Sequence, residues 1–215
     1  TCLLAVHALV RFSGLWKTWY VPLSMALVWP LPWVLSPRSG RRMMGFTAPS
    51  SWKWFVTGPL AAGAALVACA AVAWGLFGAT PANWFTRHAL ALHESLPPAA
   101  DGTSTMTRFW VVTGPAMLFS PFAEEFLFRG FLQTSVSMQW GSRVALVLQA
   151  MAFGLIHLAH YGLFPFQPSL IALWVPSMFG VALVLGWIVQ RSGSVWPAVV
   201  AHSFFNLGLN GLVFV

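Results

Sequence analysis

Acidic residues are almost missing from this chain: Asp and Glu together number four in 215 positions, against eleven Lys and Arg. With 7% of residues charged and 58% hydrophobic, there is too little charge to cover a water-soluble domain of ordinary surface area. Cysteine is scarce as well. Cys2 and Cys69 lie in apolar surroundings and form no spacing that suggests a metal site or a disulfide framework, so they read as packing residues. No internal repeat, low-complexity tail or second domain is visible, and Pro97 and Pro98 in "ESLPPAADGTST" mark an irregular external loop rather than a linker. A net charge of +7 raises the question of nucleic acid, but the basic residues are scattered between apolar runs and form no single patch.

What the chain has instead is apolar length. Crossing a bilayer takes about 20 apolar residues, and such runs stand at residues 18–35, 54–79, 108–134, 143–161, 169–190 and 195–213. The expected fold is therefore all-α: a polytopic transmembrane helical bundle of six spans, or seven if residues 1–15, which carry His7 and Arg11, form another span rather than an interfacial helix. The chain opens on Thr1, so its targeting is left open. Arg38, Arg41, Arg42 and Lys53 crowd the loop "SPRSGRRMMGFTAPSSWK", which the positive-inside rule places in the cytoplasm. Alternation then puts Arg143 and Arg191 inside, and it puts residues 80–107 and "YGLFPFQP" outside. Tryptophans near span ends, among them Trp16, Trp52, Trp84, Trp110 and Trp196, suit interfacial belts.

Against that background, "SPFAEEFLFRGFL" places half of the acidic residues side by side inside a span. Glu125 and Arg129 stand at i,i+4, so a buried ion pair can account for one carboxylate. Consecutive helical residues point in different directions, which leaves Glu124 without that explanation, and an intramembrane ionisable residue is a functional candidate by default. "FGLIHLAHY" supplies His157 from the next span, and "AHSFFN" supplies His202 and Asn206 on one face of the last. With the His157 helix starting near residue 147, all three spans bring these groups to a depth of roughly 13 to 15 Å at 1.5 Å per residue. Taken singly, each histidine is as readily a hydrogen-bonded packing residue. Together with Glu124 the groups suffice for peptide hydrolysis: Glu124 as base on water, His157 to hold and polarise that water, and His202 and Asn206 as oxyanion donors.

The three segments resemble the EExxxR, FxxxH and HxxxN motifs, in that order, of the CPBP family: CAAX proteases and bacteriocin-processing enzymes, also called the ABI family of intramembrane glutamic proteases. The resemblance covers residues 108–210, and the chain divides into variable N-terminal spans with an external loop (1–107) and a catalytic helical core (108–215) of one continuous membrane domain. It implies an intramembrane endopeptidase without a cofactor or metal. Glu124 and His157 resemble the water-activating pair and His202 and Asn206 the oxyanion-stabilising pair, with Glu125 and Arg129 as supporting members. The implied substrates are membrane-anchored, lipidated or leader-bearing: prenylated CAAX proteins, bacteriocin-type precursors or sorting-tagged proteins. Compact length and short loops favour a prokaryotic plasma membrane. Two other readings compete. Glu124, His157, His160 and His202 are zinc-ligand types, His157 and His160 at i,i+3, although no HExxH is present and His160 is expected near the outer, wet end of its span. Buried carboxylates and histidines also mark transporters, and a non-proteolytic scaffold is the third possibility.

Overall fold

The structure, a computed structural model, describes residues 25–95, 104–160 and 166–214. Every regular element among them is helical. Two short helices, α1 (Leu31–Leu35) and α2 (Arg38–Met43), precede α3 (Trp54–Phe77), α4 (Trp84–Ser95) and α5 (Thr105–Glu124). The last of these continues through a π-helical segment (Glu125–Gln133) into α6 (Thr134–Trp140). Beyond it come α7 (Ser142–Ile156), which tightens into a 3-10 turn (His157–Ala159), then α8 (Pro168–Ser192) and α9 (Trp196–Phe214).

Among the described residues three helices, α3, α8 and α9, are long and apolar enough to cross a membrane, and α7 is a shorter apolar helix. The chain is thus an all-α membrane bundle. α3 shows how the apolar composition is spent. Along its length only Gly58, Ala62, Leu66 and Ala73 are buried, a stripe mostly of small residues, while Val56, Leu60, Val67 and Leu76 face outward. Small residues let helices approach closely where lipid offers no hydrophobic drive, and a Cβ on Gly58 would meet Pro197 O and Ala201 Cβ of α9 at 3.4 and 3.6 Å. α8 buries Leu170, Leu173, Met178, Val181, Leu185 and Ile188, and it stops at Gly193, whose φ of 69° is the left-handed cap that glycine adopts at least cost.

Several expectations need correction. Within the described part of the run 18–35, residues 25 and 26 are helical, residues 27–30 form a turn that ends at Pro30, and the five-residue α1 follows, so the run is not one continuous helix. Residues 84–95, expected to be irregular loop, form α4, whose Trp84 and Phe85 are fully buried. The His157 helix begins at Ser142 rather than near 147, and His157 sits at its end instead of inside it. Residues 1–24, Pro97, Pro98, Asp101 and most of "YGLFPFQP" lie outside the described residues.

The connections at one end of the bundle are stitched together. Ser50 N donates to Ser192 O at 2.7 Å, Val195 N to Gly45 O at 3.0 Å, and Gln190 Nε2 to Ser142 O at 2.7 Å. The basic loop, the Arg143 turn and the Arg191 turn therefore share a side, as alternation from the basic loop requires.

Candidate active site

Two prolines inside α5 set the local frame. Proline offers no N–H to the carbonyl four residues before it, so Pro121 leaves Met117 O short of a helical donor, and Ser203 Oγ of α9 donates to that carbonyl at 2.8 Å. One turn along α9, Asn206 Nδ2 donates to Ala116 O at 2.8 Å. These two bonds clamp α9 against the stretch of α5 just before the glutamates.

The helix then widens at Glu125 into i→i+5 winding, a rare form that is frequent at functional sites. Both carboxylates reach one imidazole. His202 Nδ1 is 2.8 Å from Glu125 Oε1, and His202 Nε2 is 3.9 Å from Glu124 Oε2. The expectation that adjacent glutamates serve unrelated faces is corrected here: the wider winding and the position of His202 between them make a single cluster. Glu125 Oε1 also accepts from Arg129 at 2.8 Å, and both partners are fully buried, as the i,i+4 spacing anticipates. The guanidinium lies 4.5 Å over the Phe153 ring, a cation–π contact that holds the charge without water.

Glu124 is anchored at one oxygen only. Ser120 Oγ donates to its Oε1 at 2.6 Å, while Oε2 is buried with no hydrogen-bond partner among the described residues. His157 is fixed through Nδ1, which donates to Phe153 O at 2.7 Å and so makes Nε2 the acceptor nitrogen of the neutral ring. Its backbone carbonyl receives the Trp174 indole at 2.8 Å. Close approach of α7 to α8 sets this position: a Cβ on Gly154 would come within 3.0 Å of Val175 O.

A cavity of about 210 Å³ collects the result, lined by Glu124, His157, His202 and Asn206 together. All four residues singled out for chemistry thus meet in one space, and Glu125 and Arg129 stand behind His202. His160, half-buried just past the end of its helix as expected, also lines this cavity, its ring centroid 5.0 Å from that of His157. Among the described residues no three His, Cys, Asp or Glu side chains form a group that could hold a metal ion. Beyond Arg129 lies a second cavity of about 360 Å³, lined by Arg129, Gln133, Thr134 and Ser137 on one side and by the loop around Gly45 on the other.

Sequence reasoning passed over several members. Ser120 stands at i−4 from Glu124 and Asn210 at i+4 from Asn206, so the same helical spacing rule would have found both. Phe153 opens "FGLIH" and was legible only as a motif letter, although it touches Arg129, His157 and His202. His88 gave no signal, because its segment reads as loop.

Residues 106–208 match the family model described as type II CAAX prenyl endopeptidase Rce1-like. No curated protein and no solved structure matches the chain. The matched stretch, a little under half of the chain, contains every residue of the Glu124, Glu125, Arg129, His157, His202 and Asn206 cluster, and the match is consistent with the CPBP family.

Proposed function

We propose that this protein is an intramembrane endopeptidase that hydrolyses a peptide bond of a membrane-associated protein or peptide precursor, with prenylated CAAX-type chains as the first substrate class to test. The observation that carries the reading is the single cavity shared by Glu124, His157, His202 and Asn206. The match of residues 106–208 to a CAAX-type endopeptidase family model supports the same chemistry.

Water held between Glu124 Oε2 and His157 Nε2 faces two acceptors. It gives its proton to Glu124 as its oxygen attacks the carbonyl carbon, so that no covalent intermediate with the protein forms. Ser120 keeps Glu124 Oε1 occupied and so aims Oε2 at the cavity. The tetrahedral oxyanion then needs donors. An amide group has two N–H bonds; Asn206 commits one to Ala116 O and presents the other to the cavity. His202 commits Nδ1–H to Glu125, so donation from its Nε2 requires a ring protonated on both nitrogens. Glu124 returns its proton to the leaving amine. Glu125 and Arg129 act through His202, as positioning residues.

The test uses purified full chain in liposomes with membrane-anchored peptides ending in a CAAX-type sequence. Glu124→Gln keeps size and hydrogen bonding but cannot take the proton, and it should abolish cleavage in a protein that inserts and melts as the wild type does. Cleavage at the wild-type rate by Glu124→Gln would remove the glutamate-base mechanism.

A further inference from the structure

The cavity extends past the four residues of the hydrolytic site. At its other end stand Asn210 of α9 and His88 of α4. His202, Asn206 and Asn210 recur every fourth residue and so line one face of α9. Eight residues at 1.5 Å rise place Asn210 about 12 Å beyond His202 along the helix. That is the reach of roughly three to four residues of extended peptide at 3.3 to 3.6 Å each.

The two side chains are held in a chain of hydrogen bonds. Asn210 Nδ2 donates to Thr113 Oγ1 at 3.2 Å, which turns its Oδ1 toward α4, and His88 Nε2 lies 3.1 Å from that oxygen and donates to it. Asn210 and Thr113 are buried, so the amide is locked in orientation. Around them the cavity wall is apolar, formed by Met178, Phe205 and Leu209, and no Lys or Arg lines it among the described residues. A carboxylate placed there would be desolvated without a fixed cation, whereas an amide would meet hydrogen-bonding groups at little cost. His88 and Asn210 both fall outside the stretch 106–208 that matches the family.

We propose that His88 and Asn210 form a substrate subsite that takes an uncharged hydrogen-bonding group, a peptide amide or a carboxamide side chain, three to four residues from the bond that is cut. This rests on the endopeptidase reading and makes the N-terminal helices a source of substrate choice. The rival explanation is that the His88–Asn210–Thr113 chain only braces α4 against α9.

Matched membrane-anchored peptides carrying Asn or Asp at the third and fourth positions on either side of the cut would be compared. On one side, wild type should prefer Asn over Asp at least tenfold in kcat/KM. His88→Ala and Asn210→Ala should raise KM for the Asn peptide with kcat little changed and should flatten the preference, while His88→Gln, which keeps a donor, should restore part of it. Binding of the same peptides to the Glu124→Gln protein reads the subsite without turnover. Cleavage by wild type with the same Asn/Asp ratio in His88→Ala and His88→Gln would overturn the subsite and leave the protease reading standing. Absence of cleavage by wild type together with selective, His88-dependent binding would do the reverse. A fall in melting temperature with binding and kcat/KM per folded molecule unchanged would assign the chain of hydrogen bonds to bracing.

Discussion

Glu124 and Glu125 differ by one position, the proposed mechanism gives them different jobs, and substitutions should separate them from the donors they face. Removing one oxyanion donor costs about a hundred- to a thousandfold in rate, roughly 3 to 4 kcal/mol. Asn206→Ala should fall in that range, with turnover lowered more than substrate affinity, and Asn206→Asp should fall further because a carboxylate would face the developing negative charge. Because Asn206 also bonds to Ala116 O, a stability loss is expected alongside, and Ser203→Ala supplies the control: it removes a neighbouring clamp on Met117 O at a cost of about 1 kcal/mol and should leave turnover per folded molecule unchanged. Parallel melting and rate measurements on both variants decide whether Asn206 does chemistry or bracing. Metal is a separate question at this scale. Strong chelators should leave turnover unchanged, and one bound zinc per chain, lost together with activity in His157→Ala, would transfer the mechanism to a metal. The spacing of Glu125 and Arg129 was enough to read their ion pair from the sequence. The other neighbour of Glu125, His202, was not readable as such, because contact across 77 positions depends on how α9 is clamped to α5.

Among the elements, α8 is the one least tolerant of added volume. The polar ladder along its face joins Arg129 and Gln149 to Ala182 O and Gln133 to Gly186 O, and it leaves no room at Gly186. A Cβ there would lie 2.5 Å from Gln149 Nε2 and 2.7 Å from Leu146 Cδ1. Gly186→Ala should therefore destabilise the protein by about 1 to 3 kcal/mol, the usual cost of overpacking, and lower activity through the displaced π-helical segment. Thermal melting in detergent checks it; a melting point equal to wild type would show that the two glutamines yield freely. Helical runs at 54–79, 169–190 and 195–213 were plain from composition, since each is a nearly unbroken apolar stretch of spanning length. The break at residues 27–30 and the burial of α4 were obscure for opposite reasons: aromatic and aliphatic residues around Pro30 mimic a span, and the mixed polarity of "WFTRHALALHES" hides an amphipathic helix inside a loop.

For the whole molecule, the stitched end predicts shared sidedness: single cysteines placed at Arg42, Arg143 and Arg191 should all label from the same side of a sealed membrane. Labelling of any one from the opposite side would refute the arrangement. The buried Glu125–Arg129 pair has a consequence for how the protein is made. A lone arginine at the centre of a membrane helix costs about 2.5 to 3.5 kcal/mol at insertion. No Asp or Glu follows Glu125 among the 215 residues, so no segment made later can neutralise the arginine. The neutralising partner must come from the same stretch of chain, and one helical turn is the shortest route to it. Glu125 is thus an escort for Arg129 out of the translocation machinery before it is a neighbour of His202. Glu125→Gln should accordingly reduce the fraction of newly made chains that integrate, measured by protease protection of truncated nascent chains ending before α9, whereas Glu124→Gln should integrate as wild type. Equal integration of the two variants at that length would show that lipid and solvent, rather than Glu125, carry the arginine in.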